Sequence, residues 1–301
     1  MTQAWRCTGL RWVDAEPVLV WEGGRGSALP RGKKVAFGVV TGGVRTCVGA
    51  RGHGCPTRAG VSGRSRGARC EECARLDRAH SVAADTIADD PRPYHVYLAW
   101  FGPGMVKVGI TAVERGHARL WEQGAVCFSW LGRGPLMAAR RAEEVLRAAL
   151  RVPDRIPYAD KRVVRSALPE AGERAAEVAE LHARAVALDG WPESLERMPC
   201  RTVDHAEVFG LDGLPGADGV VTELVAGGTV GGTVLAAAGP DLHLATGRGV
   251  VVLDTRLMTG WELVAVEAVT GTGTGTGHQD VLGVPVRELR SSGGGVQDGL
   301  F

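Results

Sequence analysis

The sequence has no run of about 18 apolar residues, which argues against a membrane-spanning helix. Its first residues, Met1-Thr2-Gln3-Ala4-Trp5-Arg6, lack the apolar core of a secretory signal. Acidic residues are missing altogether between Gly23 and Cys70, a stretch that holds ten arginines or lysines. The whole chain has a formal net charge of only +1, so charge is segregated by region, with twelve acids against five arginines at 201–301. Lysine is scarce as well, four residues beside 31 arginines. A bias toward arginine explains the guanidiniums but not the missing carboxylates. A positive excess in a glycine-rich stretch suits a polyanion, and nucleic-acid phosphate, DNA or RNA, is the usual one.

Seven cysteines are an odd number, and four of them lie within or beside the basic stretch, a usage that fits a reducing cytoplasm better than a disulfide framework. Cys47, Cys55, Cys70 and Cys73 are spaced C-x7-C then C-x14-C-x2-C. Cys70-Glu71-Glu72-Cys73 has the spacing of a zinc knuckle. The first pair is wider and bends through Gly49, Gly52 and Gly54. Four thiolates make a closed tetrahedral Zn²⁺ site of structural type, with His53 able to replace one sulfur. A redox CxxC or unrelated buried thiols are the alternatives. Cys7, Cys127 and Cys200 are solitary and read as small buried hydrophobes.

Val96-Tyr97-Leu98 and Val106-Lys107-Val108-Gly109 flank a Gly102-Pro103-Gly104 turn and read as a β-hairpin. If the turn pairs Phe101 with Met105, Ala99 faces Lys107 and Tyr97 faces Gly109, because strand side chains alternate. Val96, Leu98, Trp100, Val106, Val108 and Ile110 then fill the core face. The other face carries a phenol and an amine above a glycine that leaves room for a ligand. Thr111-Ala112-Val113-Glu114 has the form of a capping box and predicts a helix with Val113, His117, Leu120 and Trp121 as its apolar stripe and Arg119 at the edge. A second helix is predicted at about 136–150, with Ala139, Ala142, Leu146, Ala149 and Leu150 on one face, Glu143 at its margin and Glu144 toward solvent.

These residues resemble the start of a GIY-YIG nuclease domain, with Val96-Tyr97-Leu98 and Lys107-Val108-Gly109 in the places of the two tripeptides. The resemblance implies that Arg119, with Arg115 second, and Glu143 are the superfamily's helical arginine and glutamate. It further implies metal-dependent phosphodiester hydrolysis, with Mg²⁺ or Mn²⁺ on Glu143, Arg119 gripping phosphate oxygens and Tyr97 receiving or orienting the water proton. Gly109, Arg115, His117 and Lys161 would surround the substrate. Lys107 stands where the second tyrosine is usual and suits a phosphate clamp. The closing asparagine has no clear counterpart, Asp160 or Lys161 being nearest. The cysteine cluster, the hairpin with Gln123-Gly124-Ala125 and the β-rich tail together resemble a family of uncharacterised prokaryotic proteins, most strongly up to about Arg151.

The expected class is α+β: a small GIY-YIG-like mixed domain (91–165) between a basic zinc-binding β region (1–90) and a β-rich C-terminal domain (201–290). A helical connector (166–200) and a flexible tail (291–301) complete it. Within this frame 5–22 holds two short strands, Asp77 to Asp90 is a connector broken by Pro91-Arg92-Pro93, and Pro169 to Leu188 is a helix with a solvated charged face. Short Val-rich runs beyond Val203 predict an antiparallel sheet or barrel. His205, His243 and His278 lack metal-ligand spacing, and the Gly-Thr alternation from Gly271 to Gly277 reads as a flexible loop. Three function classes follow: a nuclease, a zinc-containing nucleic-acid adaptor without catalysis, and a cleft recruited to a small-molecule reaction.

Overall fold

The computed structural model describes residues 3–79, 90–153, 155–266 and 282–289. The chain is a mixed α+β protein with two sheets and, among the described residues, six α-helices. In chain order the elements are β1 (Trp5–Val13), β2 (Glu16–Trp21), β3 (Gly26–Ala28), β4 (Lys34–Val39), α1 (Glu71–Ala79), β5 (Pro93–Trp100), β6 (Val106–Ala112), α2 (Ala118–Gln123), β7 (Cys127–Pro135), α3 (Leu136–Leu150), α4 (Tyr158–Val164), α5 (Ala171–Val186), β8 (Glu196–Arg197), β9 (Val203–Asp204), α6 (Ala206–Phe209), β10 (Gly219–Val221), β11 (Thr229–Ala238), β12 (Asp241–Thr246), β13 (Gly249–Asp254), β14 (Glu262–Ala265) and β15 (Val286–Glu288). The loop from Gly271 to Gly277, His278, the tail at 291–301 and most of the Asp77 to Asp90 connector lie outside the described residues. No described helix is long and apolar enough to cross a membrane.

The larger sheet has ten strands in the order β15-β10-β13-β12-β11-β4-β14-β1-β2-β3. N-terminal and C-terminal strands, expected in separate domains, therefore share one sheet. Leu263 of β14 pairs with Trp5 on one side and Val39 on the other. Periodicity identifies a strand but not its neighbour, and a two- or four-strand N-terminal unit would leave edges unpaired.

The smaller sheet runs β6-β5-β7-β8, with β9 also on β7, so β6 is an edge strand and β5 is covered on both faces. Val96, Leu98, Trp100, Val106 and Val108 join the main core with Ala139, Ala142 and Leu146 of α3 and Val178 of α5. Tyr97, Ala99 and Phe101 pack in a second, smaller core with Leu120, Ala125, Phe128 and Ile156. Helix α3 has the predicted bounds, although Ala149 is exposed rather than part of its buried stripe.

Two expectations are corrected here. Thr111 is the buried penultimate residue of β6 and caps no helix. Residues Val113–Arg115 form one 3-10 turn that stops at Gly116, whose φ of 47° breaks the chain direction before α2 begins at Ala118. The charged face of α5 is exposed at Glu173, Glu180 and Arg184 as expected, but Arg174 departs from it: it is buried on the face of Val178 and Ala185 and donates to Asp204 at 2.7 Å, beside His182, whose Nε2 lies 3.2 Å from the Trp130 carbonyl.

The two sheets are joined through α2 and α4. The Trp12 indole donates to the Gly239 carbonyl at 3.0 Å, and the Gly239 amide donates to the Trp121 carbonyl at 3.1 Å. Helix α4 docks by charge: Arg162 donates to both Asp241 and Asp254, and Arg165 to Asp241 at 2.7 Å, with all four side chains nearly water-free.

Candidate functional site

The hairpin has the register that alternation requires: Tyr97 opposite Gly109, Ala99 opposite Lys107, and the Phe101 amide donating to the Met105 carbonyl. Its turn is fastened from outside by Glu177 of α5, which accepts from the Trp100 indole at 2.6 Å and from the Gly104 amide at 3.1 Å. Gly109 does not leave space for a ligand. The Tyr97 ring itself fills that space, and a Cβ at 109 would collide with the phenol. Tyr97 is 1% exposed and its oxygen accepts a hydrogen bond from Gln123 Nε2 at 2.8 Å.

Four side chains from four elements then come close enough for Arg119 and Glu143 to act on Tyr97 and Lys107. Burial pushes the Tyr97 phenol up, opposed by the Gln123 hydrogen bond and by Arg119 of α2, while Glu143 adds to the rise. Lys107 is pushed down to about 8, first by burial, then by the positive charges of Arg119 and Arg155, with Glu143 opposing. Burial raises the half-buried Glu143, and Lys107, Arg147 and Arg140 pull it back. Glu143 occupies the margin of α3 where that helix packs near the edge strand β6, whereas Glu144 is exposed. Arg119 also lies 3.6 Å from Glu122, one turn along α2. Phenol, amine, guanidinium and carboxylate thus share one electrostatic neighbourhood at the open edge of the small sheet.

The remaining candidates are placed differently. Arg115 is engaged by the other oxygen of Glu122 at 2.6 Å. His117 sits among aromatic rings, 5.0 Å from Phe128 and 5.4 Å from His205, with its Nδ1 3.4 Å from His205 Nε2. Lys161 is buried behind Tyr97. Its ammonium donates to the Gln123 carbonyl at 3.0 Å and stands 3.7 Å from the Phe101 ring, and burial lowers it to about 6. It therefore supports Gln123 from the protein side. Asp160 is exposed.

Sequence reasoning did not assign Gln123 its bond to Tyr97, although it had marked the Gln-Gly-Ala motif. It also gives His95 no role and reads Thr111 as a helix cap, whereas the two face each other two pairs along the hairpin from Tyr97, with His95 Nδ1 and Thr111 Oγ1 buried and without a hydrogen-bond partner among the described residues. His95 stacks at 4.3 Å on Trp130 of β7.

The cysteine cluster assembles beside the larger sheet. The ligand atoms of Cys47, Cys55, Cys70 and Cys73 all lie within 4.8 Å of one another, a group that could hold a metal ion, and exposed His53 is not among them. The wide C-x7-C spacing closes because Arg51 and Gly52, both at positive φ, form a two-residue turn between the Ala50 and His53 bridge partners. Gly49 is obligatory, since a Cβ there would strike the His53 carbonyl. Amides of Gly49 and Cys70 donate to the Cys47 sulfur at 3.3 and 3.1 Å. Cys7 and Cys127 are buried as expected, but Cys200 is exposed.

The basic stretch is less free than its composition implies. Arg45 is 1% exposed and donates to the carbonyls of Ser62, Ser65, Arg256 and Thr259. Arg58, Arg64, Arg66 and Arg69 pair with Glu22, Glu223, Asp254 and Asp77, acids supplied from outside the stretch.

A family model described as "Protein of unknown function (DUF2797)" matches residues 32–263. The chain belongs to that family. The DUF2797 match runs through the cysteine cluster, the hairpin and most of the larger sheet, so these parts belong to one family unit. No curated protein and no solved structure matches the chain.

Proposed function

We propose that this chain hydrolyses phosphodiester bonds of nucleic acid at a divergent GIY-YIG-type site made by Tyr97, Lys107, Arg119 and Glu143, and that its cysteine cluster holds a structural zinc ion. What supports the reading is that one hairpin and two helices bring Arg119 and Glu143 each near enough to act on both Tyr97 and Lys107, with Tyr97 opposite Gly109 and Lys107 opposite Ala99 in the hairpin. Arg119 is half-exposed and suited to grip non-bridging phosphate oxygens. Tyr97 is held neutral by burial and orients the attacking water. Lys107, near 8, clamps phosphate as the protonated ammonium and can take the water's proton only as the neutral amine, at mildly alkaline pH.

Glu143 is the half-buried carboxylate of the group, raised by burial against the pull of Lys107, Arg147 and Arg140, and is the residue that would hold a divalent cation. A bound Mg²⁺ or Mn²⁺ would supply charge neutralisation at the scissile phosphate. For zinc, four sulfurs at about 2.3 Å from a common centre stand about 3.8 Å apart. The Cys55 and Cys70 sulfurs are 4.0 Å apart.

A non-catalytic nucleic-acid adaptor is the second reading, favoured by the near-complete enclosure of Tyr97. Labelled single- and double-stranded DNA and RNA, incubated with Mg²⁺ or Mn²⁺, separate the two. Cleavage by wild type that Glu143→Ala abolishes supports hydrolysis. Equal band shifts with no cleavage by either protein support the adaptor.

A further inference from the structure

A second charged cavity lies away from the hairpin, where the loop between Cys55 and Cys70 meets the far end of the larger sheet. It has a volume of about 390 Å³, and its wall brings together Arg64, Arg66, Arg162, Arg287 and a single carboxylate, Asp254, over an apolar floor that includes Val220 and Leu257. Counting the groups in direct ionic contact with these, six guanidiniums (Arg64, Arg66, Arg162, Arg165, Arg256, Arg287) meet three carboxylates (Glu223, Asp241, Asp254). Arg287 has no acidic partner among the described residues. The buried arginines are already paired with Asp241 and Asp254, whereas Arg64, Arg66 and Arg287 reach solvent, where an anion entering the cavity can meet them.

The wall is built rather than accidental. Arg45 clamps the loop by donating to the Ser62 and Ser65 carbonyls, two residues before Arg64 and one before Arg66. Gly63 approaches the Leu224 carbonyl so closely that a Cβ would clash. Arg162 is itself 6% exposed and fixed by Asp241 and Asp254. Fixed guanidinium forks are the donors best matched to phosphate oxygens.

We propose that this cavity binds a phosphate monoester. A dianion answers the charge surplus better than a singly charged phosphodiester, and the volume admits the group attached to the phosphate. The source is either a small phosphorylated molecule or the terminal phosphate of a strand. The inference does not rest on hydrolysis at Tyr97 and Glu143.

Titration calorimetry on the metal-loaded full chain tests it, with inorganic phosphate, a nucleoside 5′-monophosphate, and a short oligonucleotide with or without a 5′-phosphate. The wild type should bind at least one phosphate-ended probe, and Arg66→Gln and Arg287→Gln should each weaken that binding about tenfold or more. Both arginines reach solvent, so these variants should keep the wild-type circular dichroism, and Arg287→Lys should recover part of the loss. Glu143→Ala should bind as wild type does, which separates this site from the hairpin. Preference for the 5′-phosphorylated oligonucleotide would identify a strand end as the source, and binding of the mononucleotide alone a small molecule. No binding of any phosphate-ended probe by wild type, or equal binding by the two arginine variants, would overturn the proposal.

Discussion

Gln123 donates its side-chain amide to the Tyr97 phenol at 2.8 Å while its own carbonyl accepts from the buried ammonium of Lys161 at 3.0 Å. One residue at the end of α2 thus links the hairpin to α4. Gln123→Leu removes the donor and leaves a buried phenol oxygen unpaired, at a cost of about 1–3 kcal/mol in denaturant unfolding. It also removes an interaction that restrains the rise of the phenol, so ultraviolet titration should find Tyr97 ionising at higher pH in the variant. An unchanged stability and titration would mean that the bond contributes nothing.

Charge docking of α4 makes a second expectation. Asp241 is fully buried between Arg162 and Arg165. Asp241→Ala leaves two guanidiniums without their main partner and should destabilise the fold by about 3–5 kcal/mol, measured by urea unfolding. Restoring volume and removing charge together, in Asp241→Leu with Arg165→Met, should recover part of that loss.

His243 and His205 set an acid limit. Burial is the first cause in both, lowering His243 from 6.5 to about 3, with Arg165 adding repulsion, and His205 to about 4. Because the folded values lie below the unfolded ones, the unfolded chain binds more protons as pH falls from about 6.5. Stability contributed by keeping these rings neutral is therefore present above about 6.5 and declines down to about 4 for His205 and about 3 for His243. His243 makes no hydrogen bond through either ring nitrogen, so His243→Leu should flatten this acid limb in thermal melts taken between pH 7 and 4.

The metal expectation is local. Chelation, or Cys55→Ser with Cys70→Ser, should release one tightly held ion per chain and speed amide hydrogen exchange across residues 46–73, while Cys200→Ser changes neither. Exchange that stays protected after complete metal loss would show that Arg45 and the sheet hold this region unaided.

Much of the hairpin was readable because period-two alternation and a Gly-Pro-Gly turn leave one sensible register. Helix α3 was readable for a similar reason: Ala139, Ala142, Leu146 and Leu150 mark a buried stripe, and Glu143 falls at its margin while Glu144 does not. What escaped was pairing between distant segments. No local pattern tells that β14 inserts between β4 and β1, or that Asp241 and Asp254 neutralise arginines more than seventy residues earlier. The Thr111 capping motif misled because the same residues also extend a strand, and cross-strand pairing with His95 won. Gly109 misled because a missing Cβ was read as room for a ligand when a neighbouring tyrosine ring occupies it.

The most direct test of the proposed hydrolytic site is a double-mutant cycle of Mg²⁺-dependent cleavage with Glu143→Gln, Lys107→Met and the pair. If the two groups act on one substrate, each single change should remove most of the rate and the double variant should be little slower than either. Independent, multiplying losses, or wild-type cleavage that survives Glu143→Gln, would contradict a shared site.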